Sequence, residues 1–278
     1  LPLLRAKLGE LYKETSAAFI WATIQRMYAA RKSGLKKEMF GYIEGGYKTI
    51  IQSYSAYLRE LGIQIYTGHK LNNLKNMNGQ HKLVFEKGKE HTTDAIVFTL
   101  PSPVIPNLWD GMPEAEKKRH QAIKYLGVSC TSMLLKREIS PYYVTNITDK
   151  EVPFTGIIEM SSLVDKKHFN GHTLIYLPKY VEYNDEIFSK PNEEIHTEFK
   201  NKLLSMYPFL QEEDIIAMKT AKTSMVFALS TLNYSKKLPD IKSKVKGVYY
   251  ANSAYITNGT LNVNETIGMA NAIANAYF

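Results

Sequence analysis

The chain has 278 residues, with 35 Lys and Arg against 27 Asp and Glu, a formal net charge of +8. Hydrophobic residues make up 44% and charged residues 22%, an ordinary balance for a globular chain with a large core. Cys130 is the one cysteine, which excludes an internal disulfide framework and fits a reducing, cytoplasmic compartment. No apolar run approaches the ~18–20 residues of a membrane span, and the opening LPLLRAKLGE lacks the long apolar stretch of a signal peptide. Part of the positive charge sits at Arg26, Arg31, Lys32, Lys36 and Lys37, and the rest is spread as lysine pairs. No RNP-like, zinc-finger or helix-turn-helix pattern accompanies it, so a basic surface or an anionic ligand is expected rather than nucleic acid. The chain does not begin with Met and opens in a helical pattern, so it reads as part of a longer protein.

Taken in order, Leu3, Leu4, Leu8, Leu11 and Tyr12 recur at helical spacing, and Thr15 or Ser16 caps a second helix from Ala17 to about Lys32, stopped at Gly34. Its stripe is Phe19, Ile20, Ile24, Met27 and Tyr28, with Trp21 off it. Gly45–Gly46 reads as a turn, and a helix from about Lys48 to Leu61 presents Ile50, Ile51, Tyr54, Tyr57, Leu58 and Leu61 as a buried face. The period then changes to that of strands: Ile63–Tyr66, His69–Leu74, Leu83–Glu86, a Lys87–Gly88 turn, Glu90–Thr93, and the apolar Asp94–Leu100 ending at Pro101. A charged helix (113–124) and strands at 127–136, 154–160 and 173–180 follow. The next helix is striped by Ile195, Phe199, Leu203 and Met206, and 215–229 reads as one bent or two short strands. After a basic loop, Val248–Ala251 leads through a polar loop into a helix of small residues, with Asn264 as its cap. Strand, polar loop and helix N-terminus form an anion- or nucleotide-binding corner, or a capped helix packed on a sheet.

There is no Gly-x-Gly anywhere, hence no Rossmann fingerprint, and no P-loop, HExxH or Gly-x-Ser-x-Gly elbow. His168, His172 and Asp165 fit a surface loop better than a metal site, and no metal ligand or catalytic residue is nominated. The positive signal is an ordered set: YIEGGYKTIIQSYSAYLRELG, GIQIYTGHKLNNL, DAIVFTLPSP, then GVYYAN and NETIGMANAIANAY. In that order the pieces resemble the flavin-dependent amine oxidase superfamily, which includes protoporphyrinogen oxidases and phytoene-desaturase-like enzymes. The resemblance covers residues 40–105 and 247–278. LLKREI and PFTGIIE are similar to a subgroup of bacterial oxidoreductases, some of them associated with surface-polysaccharide pathways.

The resemblance implies a mixed α+β fold: a substrate domain with a mixed sheet and helices on one side, plus a partial FAD domain lacking its Rossmann βαβ start. It divides the chain into a helical part of the substrate domain (1–38), an FAD-domain segment (39–105), a substrate-binding domain (106–240) and a C-terminal return to the FAD domain (241–278). It further implies FAD in the full-length protein, with the Lys70–Leu71 backbone beside the adenine and Thr99 and Pro101 next to the adenosine or ribose. Asn264, Glu265, Thr266 and Ile267 would face the pyrophosphate or the flavin's pyrimidine edge. Hydride transfer from a substrate C–H to flavin is the implied reaction, on a small molecule that is anionic or sugar-related. A mutase-like flavoprotein acting on a sugar nucleotide, and a non-catalytic remnant that binds a glycan or partner, stay open. Three departures bear on this: Thr260–Leu261 stands where relatives have Asp-Arg, Cys130 where many amine oxidases have lysine, and Ala228 where close relatives have proline. Tyr176, Tyr180, Trp21 and Tyr28 are candidate pocket walls, with core packing as the alternative.

Overall fold

The computed structural model describes residues 4, 7–29, 41–77 and 79–278. The expected helix stop at Gly34, the charges from Arg31 to Lys37, and Leu3 lie outside them. The fold is mixed α and β, as expected, and divides into two compact units: the described parts of 1–14, 40–45 and 125–226, and the described parts of 15–39, 46–124 and 227–278.

The first unit is built on a five-stranded sheet of β5 (Tyr125–Leu135), β6 (Val144–Asn146), β7 (Gly156–Glu159), β8 (Thr173–Glu182) and β9 (Ile215–Ala228), in the order β6-β7-β8-β5-β9. β8 pairs antiparallel with β5 along ten residues, Leu126↔Glu182 to Leu135↔Thr173. Alternation sorts the side chains. Met133, Leu135, Ile175 and Leu177 are buried in one cluster with Ile195, Phe199 and Leu203 of the helix α4 (Asn192–Met206). These helix positions fall on one stripe, so α4 lies across the sheet by burying it. Val128, Cys130 and Ser132 of β5, opposite Tyr180, Pro178 and Tyr176 of β8, alternate with the buried set. β9 is one continuous strand. The three-residue β6 carries too little pattern to be read from the sequence.

The second unit contains α1 (Ala17–Ala29), α2 (Gly46–Glu60), the antiparallel meander β1 (Leu71–Met77), β2 (Gln80–Phe85) and β3 (Glu90–Thr93), then β4 (Ile96–Phe98), α3 (Glu114–Gln121), α5 (Tyr234–Lys237), β10 (Val248–Tyr250) and α6 (Val263–Tyr277). Ser16 caps α1, its Oγ accepting the Ala18 N–H at 3.2 Å. Gly45 and Gly46 have φ of 78° and 65°, the left-handed region that the expected turn requires. β4 and β10 pair in parallel, Ile96↔Val248 to Phe98↔Tyr250, so the chain returns to β4's side only after the whole 99–247 stretch. Leu74, Phe98, Ile105, Trp109, Met112, Val248 and Tyr250 form the core there.

Four expectations are corrected. Ile63–Tyr66 is not a strand; the Ile63 N–H instead closes the end of α2 on the Leu58 carbonyl at 3.0 Å. The apolar face of α2 is not buried: Ile51, Tyr54 and Leu61 are 63%, 60% and 59% exposed. Among the described side chains of the α1 stripe Phe19 alone is buried, since Ile24 and Tyr28 are exposed, as is Trp21. The cap of α6 is Asn262 rather than Asn264: its Oδ1 accepts the Glu265 N–H at 3.0 Å, so the helix starts a residue before Asn264.

Candidate functional site

The carboxyl ends of β4 and β10 point the same way, because the strands are parallel. In sheets of this kind the space outside those ends is where ligands are taken. Gly247 makes the pairing possible. It has φ +82°, and a Cβ there would stand 2.4 Å from the Asp94 carbonyl oxygen. Beyond β4 come Thr99, exposed, and Pro101, half-buried, which opens a 3-10 turn at Ser102. Beyond β10, the Ala251 N–H donates to the Phe98 carbonyl at 2.9 Å, and buried Asn252 donates from Nδ2 to Ser102 Oγ at 3.3 Å. Thr99 and Pro101 are thus brought beside Asn252, a residue that the sequence reading passed over within GVYYAN.

A carboxylate holds the β10 side of this corner. Glu116 of α3 is buried and accepts from Ser243 Oγ (2.8 Å), the Lys244 N–H (2.7 Å) and Tyr250 Oη (2.9 Å). Burial, with the hydrogen bond to Glu116, raises the Tyr250 hydroxyl above its ordinary range, while the Ser243 contact opposes the rise. His120, one turn along α3, is fully buried and stands edge-on to the Tyr250 ring at 4.3 Å between centroids. Burial lowers its imidazole to about 4, against the raising pull of Glu116 and with Arg119 adding to the fall.

The loop from Ala251 returns the chain to α6. Asn262 Nδ2 donates to the Thr260 carbonyl at 2.7 Å, and the Thr266 hydroxyl donates to the Asn262 carbonyl at 2.9 Å. The N–H groups of Glu265 and Thr266 are therefore already engaged by Asn262, the second at 3.1 Å. Asn264 is exposed on the first turn, as is Ile267 at 55%, and the Asn264 N–H is among those that helix geometry leaves free. Thr260 is buried, and its Oγ1 has no hydrogen-bond partner. An orphaned hydroxyl beside a helix start is what a polar group of a bound ligand would satisfy. Lys70 and Leu71 are at the start of β1, in the meander rather than on the parallel pair. The Lys70 carbonyl accepts the Glu86 N–H at 2.8 Å, and its ammonium pairs with Glu86 at 2.7 Å.

In the sheet unit, Tyr176 and Tyr180 are half-buried beside Cys130, and burial raises both hydroxyls, with a smaller contribution from the Cys130 side. Burial pushes the Cys130 thiol up to about 11, so it is protonated at neutral pH and no nucleophile. Asp165 caps a 3-10 turn by accepting the Lys167 N–H, and His168 lies 5.7 Å from the Tyr42 ring. No cluster able to hold a metal ion occurs among the described residues, nor any helix long and apolar enough to cross a membrane.

Residues 5–264 match the sequence profile of the family described as flavin containing amine oxidoreductase. The chain belongs to that family. Membership implies a flavin cofactor, and the corner at β4, β10 and α6 fits one through its unsatisfied Thr260 hydroxyl and the open first turn of α6. No curated protein matches the sequence. Among solved structures, a protein from Exiguobacterium sp. 255-15 with the provisional name protoporphyrinogen oxidase has TM-score 0.70 at 16% identity, over 95% of this chain and 57% of its own. An oxidoreductase from Methanosarcina mazei has TM-score 0.62 at 15% identity, over 83% of this chain and 55% of its own. A reduced UDP-galactopyranose mutase has TM-score 0.65 at 11% identity, over 87% and 56%. At these identities the likeness shows the fold, and the chain spans little more than half the length of each structure.

Proposed function

We propose that the chain supplies the non-Rossmann cofactor elements and the substrate-binding sheet of an FAD-dependent oxidoreductase that takes hydride from a substrate C–H bond. The observation that carries this is the parallel β4–β10 pair, whose carboxyl ends set Thr99 and Pro101 beside Asn252 and lead to the α6 start. Asn264, Glu265, Thr266 and Ile267 would border the flavin, with the Asn264 N–H and the Thr260 hydroxyl as donors. The Lys70–Leu71 backbone would border the adenine. FAD, when bound, supplies the hydride acceptor; the residues bind, orient and exclude water. Within the 106–240 stretch, the face of the 125–226 sheet that carries Tyr176, Tyr180 and Cys130 would bind the substrate. Its half-buried side chains are uncharged at neutral pH, so they position a substrate and do not act as bases. The single cysteine supports a cytoplasmic setting.

The net charge of +8 and the likeness to a UDP-galactopyranose mutase support a second reading, a flavoprotein that rearranges a sugar nucleotide without net oxidation. Protein made from the whole natural gene should purify yellow, and FAD should be released on denaturation. Colourless protein that FAD cannot reconstitute would overturn both readings and favour a glycan- or partner-binding role. Anaerobic bleaching by substrate marks oxidation; turnover only with pre-reduced flavin marks the mutase-like reaction. The 278 residues themselves contain no Gly-x-Gly to cradle a pyrophosphate, so titration of this chain alone with FAD should show no tight complex.

A further inference from the structure

Asn78, Asn170 and Asn258 each precede a glycine. Asparagine is thermolabile because the backbone nitrogen that follows it can attack its side-chain amide. Glycine hinders that attack least, having no Cβ and a backbone free to reach the geometry required. Asn78 lies outside the described residues. The other two are both exposed, and their surroundings differ. Asn170 closes the 3-10 turn Lys166–Phe169 with φ 55° and ψ 36°, its N–H donating to the Lys166 carbonyl. The Gly171 N–H, whose nitrogen would be the nucleophile, donates to the same carbonyl at 2.9 Å. Attack on Asn170 therefore requires that this bond break and the turn open. Asn258 is under no such restraint. Residues 257–262 lead into α6 in no helix or strand, and the Gly259 N–H donates to no described residue. Buried Ile256 and Thr260 pin the segment at both ends, so only the short arch between them has to rearrange.

We propose that Asn258–Gly259 is a deamidation site, through which the loop before α6 changes as the protein ages. The Gly259 nitrogen bonds to Asn258 Cγ, the Cγ–Nδ2 bond breaks, and ammonia leaves with the Gly259 amide proton. Water then opens the cyclic imide at either carbonyl, giving an aspartyl or an isoaspartyl residue at 258. No oxidant or cofactor is consumed. Both products place a new negative charge on the loop, and the isoaspartyl form also lengthens the main chain by a methylene just before Gly259. Gly259 has little room to shift, because a Cβ on it would stand 2.7 Å from Glu265 Cδ and 3.0 Å from Oε2. Glu265 belongs to the first turn of α6, so the isoaspartyl form loosens that turn. The reaction belongs to the chain itself, and the proposal holds whether or not the flavin reading does.

The test is peptide mapping by mass spectrometry of protein made from the whole natural gene, dialysed free of any cofactor and incubated in warm, mildly alkaline buffer. In the folded protein, the peptide holding Asn258 should gain the mass of an amide-to-acid conversion at least tenfold faster than the peptide holding Asn170. In denaturant the two should convert at similar rates, since both are asparagine followed by glycine and only the fold tells them apart. Asn258→Gln, whose longer side chain cannot close the same ring, should lack the fast conversion and keep the parent's melting temperature. Amide exchange should be faster in the first turn of α6 after ageing of the parent, and unchanged after ageing of Asn258→Gln. Folded protein in which Asn258 converts no faster than Asn170, a difference that persists in denaturant, or conversion at Asn258 with no change in α6 would each overturn the proposal. Colour and FAD release play no part in these readouts, so this proposal and the flavin reading fail independently.

Discussion

Tyr250, Glu116 and His120 form a buried polar cluster in which each member has a different sensitivity. Tyr250→Phe removes one of the three donors to Glu116 and should cost about 1–2 kcal/mol, while Glu116→Ala leaves three donors unsatisfied and should cost roughly 3 kcal/mol by chemical denaturation. His120 sets a pH dependence whose sign can be worked out. The unfolded chain takes up the imidazole proton near pH 6.5, whereas the folded chain resists until about pH 4. The unfolded state therefore binds more protons in that window, so stability is full above 6.5 and falls as the pH drops toward 4, by about 3 kcal/mol. His120→Phe keeps an edge-on ring against Tyr250. Denaturation midpoints of the variant should fall less than those of the parent between pH 7 and 4; parallel curves would remove His120 from the account. None of this was legible in EAEKKRHQ, which reads as a solvated charged helix. Burial of Glu116 and His120 depends on partners far along the chain, Ser243 and Tyr250 lying 127 and 134 residues from Glu116.

Element boundaries were read well where amphipathic pattern and breakers agree, as in α4, with Ile195, Phe199 and Leu203 buried between Pro191 and Pro208. They were read less well where two equivalent residues compete. Asn262 and Asn264 can both cap a helix, and only the backbone decides that Asn262, with φ −159° and ψ 171°, is the one in extended conformation. Asn262→Ala should therefore destabilise by about 1 kcal/mol, and Asn264→Ala should stay within about 0.5 kcal/mol of the parent. Amide exchange in the first turn of α6 gives the local readout: faster for the first variant, unchanged for the second. At the candidate site the same limit applies. The strand–loop–helix order at 247–278 was legible, but the orphaned Thr260 hydroxyl and the engaged Glu265 and Thr266 N–H groups were not, because partners depend on loop path rather than residue type.

Across the molecule, apolar pattern and burial part company on α2, whose helical period is sound while none of its residues is buried. Large apolar side chains exposed together are poorly tolerated in water. The chain should accordingly bind a hydrophobic dye such as ANS and self-associate with rising concentration. Ile51→Lys with Leu61→Lys should suppress both with no fall in melting temperature, and a fall would show that this face is packed after all. The sequence by itself determined the mixed α and β content, the GG turn, the sheet-covering helix and the ordered motifs by which the family was recognised, since these rest on local period, propensity and chain order. Only the tertiary structure decided that β4 and β10 pair in parallel across the 99–247 stretch and that Glu116 clamps the end of β10. Those features are contacts between segments remote in the chain, and no local pattern encodes which distant partner a buried polar group will meet.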